Sequence, residues 1–122
     1  FGRRDKRIGR EDMMNAVKSY VEKLVQKELE SANQKFPVFH SDHEGAAVIF
    51  EEIEKANEEC FRIKGQFEVL WDYVKNDEKF SSKLAIRISN CALNLACEAI
   101  QVAAMAQKFI DGQKEREKSE GN

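Results

Sequence analysis

The sequence has few residues that break helices or cross-link chains. Its 122 residues include one proline, six glycines and three cysteines, and no stretch matches a glycine-rich phosphate-binding loop. A single proline and few β-branched runs exclude a proline-rich linker and argue against a β-sheet protein. Three cysteines without a CxxC pair cannot form a complete disulfide framework within one chain, and they favour a reducing cytoplasm.

The distribution of charge argues against two kinds of partner. Lysine and arginine number 20 and aspartate and glutamate 22, so the net charge of −2 gives no basis for a general nucleic-acid coat. The longest segment of low charge, residues 88–107, still contains Glu98 and several polar residues, so we expect no membrane span. We also expect no signal peptide, because the N-terminal residues contain no apolar stretch.

Hydrophobic residues recur at helical spacing over three segments, which predicts an all-α fold. The first helix is predicted over residues 11–33. The second is predicted from a cap at Ser41 or Asp42 to Lys75, with a kink or break at Gly65. The third is predicted over residues 84–111, with Gly112 at its C′ position. We expect these helices to form an antiparallel helical bundle.

The predicted domain organisation is one helical domain with two flanking segments. Residues 1–10 carry five basic residues against one aspartate, and we interpret them as a flexible basic arm. A phosphate or nucleic-acid contact by this arm is the alternative. Residues 11–111 form the bundle, and residues 112–122 a solvated tail. Because one helix is apolar nearly all round, three helices leave surface to cover, so we expect a homodimer or higher oligomer, paired through the second and third helices.

The acidic residues of the second helix separate by face. On a wheel of about 100° per residue, Glu52 and Glu59 lie at the edge of the apolar stripe, with Lys55 on the same edge. Three further glutamates lie on the opposite face: Glu51, Glu54 and Glu58. An edge carboxylate can be drawn into the space between helices, whereas the opposite face is expected to be solvated.

The third helix carries a single charged residue, Glu98, between Arg87 and Lys108. A helix so poor in charge is expected to be central and largely buried. Its narrow polar strip is formed by Asn94, Glu98 and Gln101, at spacings i, i+4 and i+7. A carboxylate in such surroundings needs a partner, because burying an unpaired charge is very costly.

Two partners for Glu98 are consistent with this spacing. The first is a buried hydrogen-bonded network in which Glu98 caps a neighbouring helix or pairs with Lys55 or Arg87. The second is an oxygen-rich Mg²⁺ site, in which Glu98 and Gln101 face Glu52, with Glu59 as a further candidate, across a helix pair. The sequence also contains an HxxH pair, His40 and His43, which could suggest zinc but lacks further nearby ligands. We therefore interpret that pair as loop and cap residues.

Two blocks of sequence resemble a known family. HEGAAVIFEEIEKANEE (residues 43–59) and EAIQVAAMAQKF (residues 98–109) are similar to the MazG-like all-α nucleotide pyrophosphohydrolases, especially short phage and bacterial members. In that superfamily an EExxE motif on one helix and an ExxD motif on a later helix hold Mg²⁺ against a nucleoside triphosphate. The nucleotide is then cleaved to monophosphate and pyrophosphate.

The resemblance implies a site residue by residue, with two departures. The third acid of EExxE falls on Lys55, and the aspartate of ExxD falls on Gln101. The implied metal ligands, for Mg²⁺ or alternatively Mn²⁺, are Glu52, Glu98 and Gln101. The predicted catalytic residues are Glu51, which matches the first acid of the motif, and Glu59, which lies one turn beyond Lys55 and would compensate for the missing third acid. Lys55 is expected to contact a substrate phosphate. The alternative function is a non-catalytic helical module for nucleotide binding or assembly, in which the metal site has degenerated.

Overall fold

A computed structural model describes the backbone of residues 10–120 and the side chains from Val17 onward. Three helices make up nearly all of this part of the chain: α1 (Arg10–Lys35), α2 (Asp42–Lys75) and α3 (Lys83–Glu120). The all-α prediction is therefore confirmed, and no strand occurs within residues 10–120. Nearly all of the predicted basic arm, residues 1–9, lies outside the described residues.

Local sequence explains where α2 begins and ends. Ser41 is extended, and its hydroxyl accepts a hydrogen bond from the backbone N–H of Glu44, which makes it the N-cap. At the other end the helix stops at Asn76, and Asp77 adopts the left-handed conformation with φ of 53°. The helix runs unbroken through Gly65, so the predicted break there is wrong.

The predicted end of the third helix is also wrong. Gly112 is not a C′ residue, because α3 continues through it to Glu120 and includes most of the predicted tail. The residues that follow, QKEREKSE, are mostly strong helix formers, and they outweigh the cost of about 1 kcal/mol for one internal glycine. Arg116 also forms an ion pair with Asp42 at the start of α2, which ties this last part of α3 to the domain.

The contacts between helices give their order and direction. Arg116 meets Asp42, and Phe109 packs on Gly45, so the C-terminal end of α3 lies beside the N-terminal end of α2. These two helices therefore form an antiparallel hairpin. α1 packs on α3 and not along α2 in the described residues, and its C-terminal half runs in the same direction as α3.

The apolar core is small and lies where α1, the α1–α2 loop and α3 meet. Four apolar residues form it: Leu29, Phe39, Ala104 and Met105. The expectation that α3 would be largely buried is wrong for this single chain. α3 is central, but its outer side stays exposed because α1 and α2 cover only part of its circumference. Among the described helices, α3 alone is long and apolar enough to cross a membrane by length and composition, a test that core helices also pass.

Candidate functional site

Two acidic side chains lie on the edge of α2 that faces α3. Glu52 and Glu59 are seven residues apart and therefore on the same side of the helix. Their side chains are only 14% and 12% exposed, whereas Glu51, Glu54 and Glu58 are exposed. The predicted separation of the acidic residues by face is therefore confirmed. We call Glu52, Glu59 and the facing Glu98 the acidic edge.

Each acid of α2 is paired with a basic residue of the same helix. Lys55 Nζ lies 3.4 Å from Glu52 Oε1, and Arg62 Nη1 lies 2.6 Å from Glu59 Oε1. Both basic side chains are more than half exposed, so water competes with these pairs and weakens them. The second oxygen of Glu59, Oε2, is buried and has no hydrogen-bond partner among residues 17–120, whose side chains the structure describes. A buried oxygen of this kind is a position where a cation or a water can bind.

Glu98 contributes to the same region from α3. It is half-buried, and its charge acts on Lys55. The pKa of Lys55 is raised above its usual value, first by the hydrogen bond and charge of Glu52 and then by the charges of Glu98 and Glu51. The ammonium group of Lys55 therefore lies in the combined field of acids from two helices. Lys55 is ion-paired with Glu52, and Glu98 acts on it only through its charge, so the direct pair of Glu98 with Lys55 that the sequence suggested is not formed.

Gln101 is turned toward a different helix. Its amide nitrogen donates a hydrogen bond of 2.6 Å to Glu28 Oε1 on α1, so the structure does not bring Gln101 to Glu52. The bond uses the amide nitrogen, and the carbonyl oxygen is the atom that a cation would need. Glu28 is not among the site residues predicted from the sequence. The sequence does contain an indication of it, because Glu28 is a charged residue on the apolar face of the first helix, which includes Val21, Leu24 and Val25.

A pocket of about 290 Å³ lies next to Gln101, between α1, the α1–α2 loop and α3. Its wall includes Lys108, which is 6% exposed, donates a hydrogen bond to the carbonyl oxygen of Phe36, and has its Nζ 4.7 Å from the ring centre of Phe39. Burial lowers the pKa of Lys108, and the nearby charge of Glu44 partly offsets this. In the sequence Lys108 stands out only as the end of the uncharged run of α3, and nothing there indicates that it is buried against Phe36 and Phe39.

The two histidines lie at the entry to α2, His40 in the α1–α2 loop and His43 in the first turn of the helix. His40 Nδ1 lies 3.0 Å from Glu44 Oε2, and the backbone N–H of His40 also donates to Glu44. These bonds hold the α1–α2 loop against the first turn of α2, which is consistent with the interpretation of His40 as a loop and cap residue. In the part of the chain with described side chains, no three histidine, cysteine, aspartate or glutamate side chains converge on one metal position.

The donor set of the acidic edge nonetheless fits Mg²⁺ chemically. This ion is usually held by one or two carboxylates, with waters and substrate phosphates completing its shell, so convergence of three acids is not required. Glu52 and Glu98 supply carboxylate oxygens, and the unpaired Oε2 of Glu59 is a buried oxygen without a partner. The residues present are therefore compatible with a weakly held cation that binds together with a phosphate group.

No protein-family model, curated protein or solved structure matches this chain. The family resemblance thus rests on the two sequence blocks, residues 43–59 and 98–109. These blocks lie on facing helices, since Gly45 in the first contacts Phe109 in the second. The first block contains Glu52 and the second contains Glu98, and the charges of both acids raise the pKa of Lys55.

Proposed function

We propose that this chain is a MazG-like nucleoside triphosphate pyrophosphohydrolase, which hydrolyses a nucleoside triphosphate to monophosphate and pyrophosphate in the presence of Mg²⁺. The observation that carries the proposal is the acidic edge, where Glu52 and Glu59 of α2 and Glu98 of α3 are half-buried on facing helices. Removing a carboxylate oxygen from water without a partner costs free energy. Here the pairs with Lys55 and Arg62 leave one buried carboxylate oxygen, Glu59 Oε2, without a partner among the side chains that the structure describes.

The residues of this chain have distinct parts in the proposed reaction. Glu52 and Glu98 would hold the cation, whereas Gln101, which is hydrogen-bonded to Glu28 on α1, would take no direct part in holding it. Bound Mg²⁺ would neutralise charge on the phosphates and polarise their oxygens. Glu59 or Glu51 would accept a proton from the attacking water. Glu59 is the better placed of the two, because Glu51 points to the exposed face.

Lys55 would move between two partners during a turnover. Its side chain is 56% exposed, and its bond to Glu52 is long at 3.4 Å, so it is free to leave that carboxylate when a cation arrives. A triphosphate brought to the acidic edge offers the displaced ammonium group a stronger anionic partner. Lys55 would then contact a substrate phosphate, as the resemblance implies.

Release of pyrophosphate tests the proposal. The full chain is incubated with each common ribonucleoside and deoxyribonucleoside triphosphate and Mg²⁺ or Mn²⁺, and pyrophosphate and monophosphate are measured. We expect equal amounts of both products from at least one nucleotide. Glu98→Gln is expected to reduce turnover by at least 100-fold, on the order of the effect of losing one electrostatic partner in an active site.

Glu54→Gln is the matched control for that experiment. It makes the same chemical change on the exposed face of α2, where substitutions usually have small effects. Its turnover should therefore stay within about a factor of two of the turnover of the unchanged chain. Circular dichroism of both variants shows whether the helices are retained. A folded Glu98→Gln variant with unchanged turnover would remove the proposed role of Glu98.

The second candidate is a helical module without catalysis. The observation that favours it is the pairing of Glu52 with Lys55, which stands where the superfamily has a third acid. In this case the acidic edge only stabilises the α2–α3 hairpin, and a nucleotide binds without being cleaved. The absence of product with every nucleotide, from a folded chain and with both metals, would favour this candidate over the enzyme.

A further inference from the structure

The pocket that contains Lys108, between α1, the α1–α2 loop and α3, lies beside the acidic edge and is separate from it. Val48 in its wall is one turn before Glu52 on α2, and Gln101 is one turn after Glu98 on α3. We call it the Lys108 pocket. At about 30 Å³ for each molecule of liquid water, its volume of about 290 Å³ corresponds to roughly ten waters. A ligand of about ten non-hydrogen atoms therefore fits it.

Much of the wall of the Lys108 pocket is apolar. Its apolar side chains are Ala32, Phe36, Phe39, Val48 and Met105. Phe39 and Met105 belong to the buried core, so this part of the wall is held in place. Phe36 is 71% exposed, so a molecule that packs against its ring removes apolar surface from water. The pocket therefore favours a ligand with an apolar part.

The same wall carries two acidic and two basic side chains: Glu28, Glu44, Lys35 and Lys108. Both acids already have partners. Glu28 Oε1 accepts a hydrogen bond from the amide of Gln101, and both oxygens of Glu44 lie within hydrogen-bond distance of nitrogen atoms of His40. Lys35 is exposed, so water solvates its charge. Of these four charged side chains, Lys108 is therefore the one whose charge has neither water nor a strong partner.

The ammonium group of Lys108 is held by neutral groups alone. Lys108 is 6% exposed, donates a hydrogen bond to the carbonyl oxygen of Phe36, and has its Nζ over the ring of Phe39. Among residues 17–120 it forms no salt bridge with a carboxylate. An ammonium group has three N–H donors, so Nζ keeps a donor for a further partner. A buried charge without a counter-ion is costly, and burial accordingly lowers the pKa of Lys108 in spite of the charge of Glu44.

We propose that the Lys108 pocket binds a small organic acid, with the carboxylate of the acid on Lys108 and its apolar part against Phe36 and Met105. The carboxylate supplies the counter-ion that the described residues do not provide, through a charge-assisted hydrogen bond. A monoanion matches the single unpaired charge. A phosphate dianion would bring a second negative charge into a largely apolar wall that already contains two acids. This proposal goes beyond the hydrolysis proposed above and requires neither Mg²⁺ nor a nucleotide.

The test titrates phenylacetate and octanoate, which each have about ten non-hydrogen atoms, into the full chain without Mg²⁺ or nucleotide. Calorimetry measures the affinity. The NMR signal of the Met105 methyl group shows where the acid binds, because this side chain lines the pocket and is 7% exposed. For ligands of this size we expect dissociation constants on the order of 1 mM. Phenylacetamide has the same shape without the charge and should bind roughly tenfold or more weakly than phenylacetate.

Lys108→Met removes the charge and keeps an unbranched side chain in the same place. In this variant phenylacetate and phenylacetamide should bind equally, because the apolar wall remains. Retained binding of the amide shows that the pocket is intact. Lys35→Met is the matched control on the same wall, and it should change the preference for the acid by less than about twofold, because Lys35 is exposed. Glu98→Gln should also keep the preference, which separates this pocket from the acidic edge.

Two further ligands distinguish the sources of an anion. Benzyl phosphate represents a phosphate ester, and the tripeptide glycyl-glycyl-phenylalanine represents the carboxyl end of a peptide, which exceeds the pocket volume. Both should bind more weakly than phenylacetate, and tighter binding of either would overturn the proposal.

The unchanged chain decides the proposal even if Lys108→Met does not fold. An unmoved Met105 signal with both acids at about 20 mM, well above the expected dissociation constants, would overturn it. Equal affinities for phenylacetate and phenylacetamide would overturn it too, as would a preference for the acid that survives in a folded Lys108→Met variant. A chain that binds these acids without hydrolysing any nucleotide would support this proposal and not the proposed function.

Discussion

Gly45 of α2 lies directly against the ring of Phe109 of α3. A Cβ atom placed on Gly45 would come within 2.6 Å of Phe109 Cδ2 and 2.9 Å of Phe39 Cδ2. No side chain larger than hydrogen fits there without moving one of these rings. This close approach joins the two blocks of the family resemblance, and it gives a physical reason for the glycine in the first of them.

Glycine substitutions in α2 should therefore have opposite effects at two positions. Gly45→Ala should lower the free energy of unfolding by about 1–3 kcal/mol, because the new methyl group overpacks the contact with Phe109. Gly65→Ala should raise it by up to about 1 kcal/mol, because nothing lies within 4 Å of a Cβ there and alanine favours the helix. Urea denaturation of both variants measures the two values. Equal changes at the two positions would contradict the packing described for Gly45.

Replacing Lys55 by glutamate should strengthen metal binding. Lys55→Glu removes the cation that now pairs with Glu52 and adds a carboxylate at the third acidic position of the EExxE pattern. Additional anionic oxygens increase the affinity of a site for Mg²⁺. We expect the dissociation constant for Mn²⁺ to be at least tenfold lower than in the unchanged chain. Electron paramagnetic resonance of the free and bound Mn²⁺ measures this constant. Lys64→Glu, with the same charge change on an exposed position, is the control and should leave the constant unchanged.

The ion pair between Arg116 and Asp42 should hold the last turns of α3 in place. Both side chains are partly exposed, so Arg116→Ala should change global stability by less than about 1 kcal/mol. Amide hydrogen exchange of residues 113–120 should nevertheless become several-fold faster, because their attachment to α2 is lost. Lys118→Ala, on an exposed side of the same turns, should not change the exchange. Unchanged exchange in Arg116→Ala would mean that these turns do not depend on the pair.

Glu44 should titrate below its ordinary value of 4.5. The side chain of His40 lowers its pKa most, and the backbone N–H of His40 adds to the effect. A lowered pKa in the folded state means that the contribution to stability is complete above pH 4.5. It is lost as the pH falls through the lowered pKa. Carboxyl NMR titration should show this shift, and His40→Ala should move the pKa part of the way back to 4.5.

Much of the helical architecture follows from local sequence. Helical spacing of apolar residues predicted the three helices, the cap residues at Ser41 and Asp42 predicted the start of α2, and its predicted end at Lys75 is confirmed. Wheel positions also separated the half-buried Glu52 and Glu59 from the exposed glutamates. Each of these features depends on interactions within a few turns of one helix, which is the range over which a single sequence is informative.

The features that the sequence did not reveal depend on contacts between distant segments. The attachment of the last turns of α3 to the start of α2 involves Arg116 and Asp42, which are 74 residues apart. The bond from Gln101 to Glu28 spans 73 residues, and it turns Gln101 toward α1 instead of toward Glu52. Periodicity places a residue on a face of its helix, but it does not say which of two neighbouring helices that face will meet.

The most direct test of the proposed function is calorimetric titration of Mg²⁺ into the full chain, with and without a non-hydrolysable nucleoside triphosphate. We expect weak binding of the metal alone and at least tenfold tighter binding when the nucleotide is present, because its phosphates complete the shell of the ion. Both signals should disappear in Glu98→Gln and persist in Glu54→Gln. If neither metal nor nucleotide binds the folded, unchanged chain, the acidic edge is structural and the proposed enzymatic function is wrong.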